Sequence, residues 1–421
     1  MGSKQRFTVN LILLGIAILW PLFQAIYFSG TDAAGRIKIL ITLTAIVVNG
    51  KYLFQCPKAM HLWLLWVVYS AVNTYVKGFF SLGASFPYFV HHSLLMPYIM
   101  MLVAYQAVAY NVTKTTRLLF WLFLVYTLVG ASDLTTIIFS DSSERLSNEL
   151  GNTYFNTIVL LMTFSSLMYV SKKLNIAVYV LIFVFLSYIS IISGERKGLI
   201  ALFIIVIGSY ISVSGGMSLR SVLSYMLLAV LAYGSIIYVM ENTTFGERMT
   251  HSIENTQFEG NWFLTLMGDR GPQYYEGWFL FLQHPWTGIG LHKFAEINTF
   301  WYGGTFHTEY MVQLTECGIV GSLMFVFFYY GMLKGLFGKK SKHQDYATKT
   351  ILRATLIAIM VINLVAWSYS NVVYFIIYGY IYAFCFSGQE VTRRKAINYQ
   401  NPKYHYYNED NAHRSRIRWR G

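Results

Sequence analysis

Apolar runs of about 20 residues recur along the chain, parted by short polar breaks. A membrane-crossing helix needs about 20 mostly apolar residues, whereas a crossing strand alternates apolar and polar positions. The runs here are continuous. They predict an all-α polytopic membrane protein with about twelve transmembrane helices. The expected spans are 7–28, 37–55, 60–77, 91–110, 117–139, 154–171, 174–193, 198–214, 220–240, 317–337, 349–369 and 371–388. No small-residue cleavage site follows the first run, so it reads as a retained helix rather than a signal peptide.

The polar breaks set the orientation. Lys4, Arg6, Lys51, Lys58, Lys114, Arg117, Lys172, Lys173 and Arg220 fall on one side, with the cluster "KGLFGKKSKHQDYATK" and a basic tail. Loops rich in Lys and Arg stay in the cytoplasm. Both termini are therefore expected inside. One break is far longer than the rest, from Glu241 to His307. Connections of that length are functional or disordered. Within it, "YYEGWFLFLQHPWTGIG" predicts a short amphipathic helix and then a turn at Pro285 and Gly288. The expected layout is helices 1–9 in residues 1–240, an external connection with short helices in 241–316, helices 10–12 in 317–388, and a basic cytoplasmic tail in 389–421.

Composition agrees with the pattern. The chain is 55% hydrophobic and 12% charged, about half the charged fraction of a soluble domain. Its net charge of +13 does not point to nucleic acid, because the bases sit in loops and a tail where topology demands them. Cys56, Cys317 and Cys385 lie far apart, which predicts neither a disulfide framework nor a zinc site.

By the alternation of helices, four polar segments open on the outer side. They read "SDSSERLSNELGNTYFNT", "SGERKG", "GDRGPQYYEG" and "GTFHTEYMVQLTE". Three bring an arginine (Arg145, Arg196 and Arg270), and the fourth brings His307. An arginine fork pairs bidentately with phosphate and stays charged. Converging arginines would hold a lipid-borne pyrophosphate and stabilise it as it leaves. A nearby histidine would take the proton of an attacking hydroxyl. Glu309 or Glu316 would orient that histidine or hold a sugar hydroxyl. Taken singly, each residue has a plainer reading: a solvated topology marker for the arginines, an interface residue for His307, a helix-start charge for Glu316. His91 and His92 read as interface packing, and Asp133 as a weak sugar-site candidate. No metal-ligand cluster or nucleotide fingerprint is present, so no metal and no cofactor are expected.

Assembled in order, these segments resemble the O-antigen polymerase and ligase superfamily. "RLSNELGNTYFNT" resembles the family's Arg-then-Gly-Asn loop, with Asn152 and Asn156 at the paired asparagines. "SGERKGLIAL" resembles its small-residue–Arg helix opening. "GDRGPQYYEGWFLFLQHPWTGIGLHKF" and "FHTEYMVQLTECGIVGSLMF" resemble the later Arg…Pro…Gly-x-Gly and His…Glu-x-Gly runs. Thr308 departs from the family's usual asparagine. The resemblance implies a GT-C-like, metal-independent, inverting glycosyltransferase whose donor is a glycan on undecaprenyl pyrophosphate. The acceptor is then a second lipid-linked glycan for a polymerase, or lipid A core for a ligase; "GERKG" favours the polymerase. A chain-length regulator is a further partner of that reading. Carried over, His307 is catalytic, and Arg196 and Arg270 bind pyrophosphate. Arg145, Lys197, Asn152, Glu309, Glu316 and Tyr274 join the substrate site, with His307 and Glu309 facing a wet external cavity. Two other classes compete: a lipid-linked oligosaccharide transporter and a partner-binding scaffold. Transporters place charges near the bilayer midplane in two related halves, which this chain does not show.

Overall fold

The computed structural model describes residues 2–27, 33–80, 85–138, 153–170, 176–192, 196–214, 271–298, 304–338, 346–366 and 368–399. Every regular element among them is helical. They are α1 (Ser3–Tyr27), α2 (Ala33–Asn49), α3 (Lys58–Val76), α4 (Phe86–Tyr110), α5 (Val112–Ile138), α6 (Thr153–Val170), α7 (Ile176–Ile192) and α8 (Arg196–Ser214). After these come α9 (Gly271–Gln283), the short α10 (Lys293–Ile297), α11 (Glu309–Phe337), α12 (Tyr346–Ile362) and α13 (Val372–Tyr399). Helices occupy eleven of the expected spans, and the expected span 220–240 lies outside the described residues. By length and composition, three described helices suffice to cross a membrane: α4, the Val112–Val129 part of α5, and α11.

The boundaries differ from expectation where polar residues are buried. The tenth span is expected from 317, yet α11 starts at Glu309 and runs through a π-helical turn at Val312–Glu316. Its polar residues look like loop but find partners inside the bundle. The eleventh span is expected to reach 369, yet α12 stops at Ile362. There the chain turns so that its carbonyls meet α11. At its far end α13 continues to Tyr399, into the expected tail.

The core gathers aromatics from α3, α11 and α13. Trp63 stacks on Trp66, and its ring lies 4.9 Å from Phe328 and 5.1 Å from Phe375. On its other side α13 packs tightly along α4. A Cβ on Gly379 would lie 2.2 Å from the Met101 carbonyl oxygen, so the helices approach backbone to backbone there.

One junction joins the segment before α11 to this core. Residues 285–290 run beside residues 315–320 and exchange four backbone hydrogen bonds: Ile289 N–H to Thr315 O (3.0 Å), Gly290 N–H to Glu316 O (2.9 Å), Ile319 N–H to Pro285 O (2.8 Å) and Val320 N–H to Trp286 O (3.2 Å). Helix α11 frees those groups by breaking at Gly318, whose φ is 64° and ψ −171°. Gly288 faces it with φ 69°. A Cβ on either glycine would sit 2.5 Å from the other segment's backbone. The end of α3 secures the junction. Tyr69 donates to the Cys317 carbonyl at 2.8 Å, Asn73 to the Thr287 carbonyl at 2.7 Å, and Thr74 accepts from the Leu291 N–H at 3.0 Å.

The left-handed backbone alone costs an alanine about 1–2 kcal/mol, and displaced backbone adds to it. Gly318→Ala and Gly288→Ala should each lower stability by about 3 kcal/mol or more, read as a large fall in the unfolding midpoint of the detergent-solubilised protein. Gly50→Ala meets open space and should leave the midpoint unchanged.

Candidate active site

Gly304–Met311 carries the expected catalytic histidine into α11, and its neighbours fix it on both sides. Phe306 is buried and stacks on Phe294 of α10 at 3.7 Å between ring centroids. Thr308 is buried and donates to the Asn363 carbonyl at 3.2 Å. The Glu309 N–H is shared between the Asn363 and Ala366 carbonyls at 2.9 and 3.1 Å. Between these buried residues His307 stays half-buried, and its own N–H reaches Gln273 Oε1 of α9 at 3.3 Å. Tyr274, next along α9, donates its hydroxyl to the Leu364 carbonyl. The start of α9, the turn after α12 and the start of α11 therefore meet at His307.

Glu309 does not face a wet cavity, as was expected of it. Its side chain is 0% exposed. Oε1 accepts from Gln313 Nε2 at 2.8 Å, while Oε2 accepts from the N–H groups of Ser368 and Tyr369 and from the Ser368 hydroxyl. Trp66 of α3 in turn donates to Gln313 Oε1 at 2.8 Å. The carboxylate thus ties α11 to α3 and to the start of α13. A buried charge is tolerated only when its lone pairs are met in this way.

Glu316 is likewise buried, at 2% exposed, rather than open to a substrate. Its carboxylate accepts from the Phe294 N–H at 3.4 Å and from the backbone of His292, capping the turn that enters α10. The expected helix-start role for Glu316 at α11 is therefore replaced by a cap on a different helix, because α11 begins seven residues earlier.

Among the other expected site residues, Lys197 is half-buried in the first turn of α8, and Arg196 begins that helix. Arg145, Asn152 and Arg270 lie outside the described residues. Asn156 is buried in α6 and Asp133 belongs to α5. His91 and His92, read as simple interface packing, both bond α2: His91 to Thr42 and His92 to Lys38. Among the described residues, no three His, Cys, Asp or Glu side chains are grouped to hold a metal.

Sequence reasoning missed the residues that hold the site still: Asn73, Gln313, Asn363, Ser368 and Tyr369. The polar interruptions at Asn363 and Ser368 inside an expected span were the available signal. It missed His292 as well. This residue sits at φ 63°, its Nε2 lies 3.0 Å from the Tyr369 hydroxyl, and its ring packs 4.6 Å from Phe89. Burial pushes the imidazole down from about 6.5 to about 4.

Two predictions follow from this geometry. Glu309→Gln turns an amide N–H₂ toward groups that are themselves donors. It should cost about 2 kcal/mol, seen as a lower unfolding midpoint; an unchanged midpoint would contradict the bonding described. For His292, the unfolded chain takes up a proton near pH 6.5 that the folded chain refuses until about pH 4. Stability should therefore fall as pH drops through that window, by about 3 kcal/mol in all. His292→Asn, which tolerates the left-handed backbone, should remove that part of the pH dependence.

Residues 181–326 match the family model described as O-antigen ligase. The matched stretch runs from α7 into α11 and contains Arg196, Arg270, His307, Glu309 and Glu316. A comparison with curated proteins finds no match. Over residues 181–326 the chain is similar to the O-antigen polymerase and ligase superfamily, which supports the resemblance drawn from its motifs.

Proposed function

We propose that the protein is a membrane glycosyltransferase that polymerises oligosaccharide repeat units carried on undecaprenyl pyrophosphate. One observation carries the reading beyond the family match. In the run Phe306–Glu309, Phe306 is buried by stacking, Thr308 and Glu309 are buried and hydrogen-bonded, and His307 alone remains half-buried with a fixed backbone. A half-buried side chain on a fixed backbone is in place to meet a substrate at the surface.

In this reading about twelve helices cross a bacterial inner membrane with both termini in the cytoplasm. The connection 241–316 lies outside. Arg196, at the first position of α8, and Arg270, just before α9, bind the donor's pyrophosphate. Lys197 and Arg145 add positive charge. Helix α8 packs along α12, whose end supplies the carbonyls that meet Glu309, and this supports placing Arg196 and His307 at one end of the bundle.

The acceptor hydroxyl attacks the anomeric carbon of the donor sugar. The new glycosidic C–O bond forms as the bond from that carbon to the pyrophosphate oxygen breaks, inverting the centre. His307 takes the hydroxyl proton, and the arginines stabilise the charge on the departing undecaprenyl pyrophosphate. Glu309 and Glu316 act as positioning residues: one fixes the backbone of the His307 segment, the other the connection above it. Asn152 and Tyr274 remain candidates for contacts to the sugar.

The family description also favours a second reading. A ligase would pass the same glycan to lipid A core. Purified protein, given an undecaprenyl-pyrophosphate-linked repeat unit without nucleotide or metal, should yield a ladder of lipid-linked oligomers by mass spectrometry. His307→Ala and Arg270→Ala should each slow it by about 10²–10⁴-fold without moving the unfolding midpoint. Transfer only after lipid A core is added would establish the ligase. Full activity in both variants would overturn the site, and no transfer to either acceptor would favour a transporter, measured as flux.

A further inference from the structure

A second group of titratable side chains lies outside the matched region, where α2 meets the first turns of α4. The Lys38 ammonium lies 3.2 Å from His92 Nε2. The Thr42 hydroxyl donates to the Lys38 carbonyl at 2.9 Å, so it accepts from His91 Nε2–H at 3.1 Å. The rings thus engage α2 one turn apart, on a π-helical stretch of α4, Val90–Leu95. The Tyr88 ring, 5.3 Å from His92, closes one side.

The group is rich in donors and poor in acceptors. An ammonium can only donate, so His92 Nε2 accepts and the ring proton sits on Nδ1. That Nδ1 is buried and meets no acceptor. Lys38 has two further N–H bonds, and among the described residues no carboxylate pairs with it. Lys293, by contrast, pairs with Glu296. Lys38 is half-buried, and a half-buried cation without a counter-ion calls for an anion.

The surroundings narrow the anion. Below Lys38, α2 exposes Ile39, Leu40, Leu43 and Val47, an apolar stripe running from the charge toward the other end of the helix. A charged head over such a stripe fits an amphiphile whose phosphate sits at the membrane surface. The group also shares an end of the bundle with His307. Phe89, three residues before His92, packs against His292 of the external connection, whose carboxylate partner Glu316 belongs to α11.

We propose that Lys38, with His92 behind it, binds the diphosphate of a polyprenyl-linked substrate at a site separate from Arg196 and Arg270. Naming the lipid as polyprenyl-linked rests on the glycosyl-transfer reading; the anion site itself does not. Polymerisation joins two substrates that carry the same diphosphate, so a second diphosphate site places the acceptor.

The test is equilibrium binding to the full-length protein in detergent, in phosphate-free buffer, with undecaprenyl diphosphate and separately with inorganic pyrophosphate. Wild type should bind two equivalents of the lipid. Lys38→Met should weaken one by at least about tenfold and leave the other, while Lys38→Arg keeps both. Arg270→Ala should lose the other equivalent and keep the one at Lys38. Inorganic pyrophosphate competing at the Lys38 site would identify phosphate chemistry as the determinant, with the lipid binding more tightly through its chain. A single equivalent in the wild type, or two unchanged in Lys38→Met, would overturn the site. Should Lys38→Met fail to fold, His92→Phe, which removes the ring that holds Lys38, must show the same selective loss or the proposal fails. If Arg270→Ala kept both equivalents and full activity, the glycosyl-transfer site would fall while the Lys38 result stood by itself.

Discussion

The contact between Gly288 and Gly318 is the constraint on which the rest depends. Two backbones pass close enough that a Cβ on either would strike the other, and both residues take left-handed torsions that most side chains resist. Helix α11 gives up its regular ladder at Gly318, and the freed groups bond the turn after α9. A break of this kind inside an apolar helix leaves unmet N–H and C=O groups, which is tolerated only where protein supplies the partners. Here residues 285–290 and the side chains of Tyr69 and Asn73 supply them. The segment before α11 is therefore locked to the bundle around Gly318.

Two buried carboxylates extend that lock. Glu309 draws the turn after α12 and the start of α13 onto α11, and Glu316 holds the entrance to α10. Each would be costly alone in an apolar setting. Their cost is offset by donors whose own positions matter: the Ser368 and Tyr369 N–H groups at the head of α13, Gln313 bridged to Trp66, and the Phe294 N–H. The result is a rigid rim around one half-buried histidine. Rigid support of this sort is what a transferase needs, since misplacing a catalytic group by about 1 Å can cost about a hundredfold in rate.

Most helices were legible from hydropathy alone, because burial in lipid or in a greasy bundle makes the same demand on composition. The failures share a cause. Glu309, Gln313 and Glu316 read as loop, and Asn363 and Ser368 were absorbed into a span, because hydropathy scores a polar residue as exposed whether or not partners await it. Those partners come from positions up to 247 residues away, as with Trp66 and Gln313, and no local pattern encodes them. The turn at Pro285 and Gly288 was legible from its residue types, but its docking onto Gly318 was not. The order of arginine, glycine and histidine motifs was enough to indicate the superfamily. It did not distinguish the histidine at the surface from the glutamates beneath it, since all three sit in one short segment.

On the proposed reading, the locked rim presents His307 to a diphosphate-linked sugar held by Arg196 and Arg270. The most direct test is an electron cryomicroscopy structure in lipid nanodiscs with the undecaprenyl-pyrophosphate-linked repeat unit bound. Both arginines should contact the diphosphate, with the anomeric carbon close enough for a hydroxyl to lie between it and His307, about 3 Å from the imidazole. A diphosphate bound more than about 10 Å from His307, or with neither arginine touching it, would rule out this site.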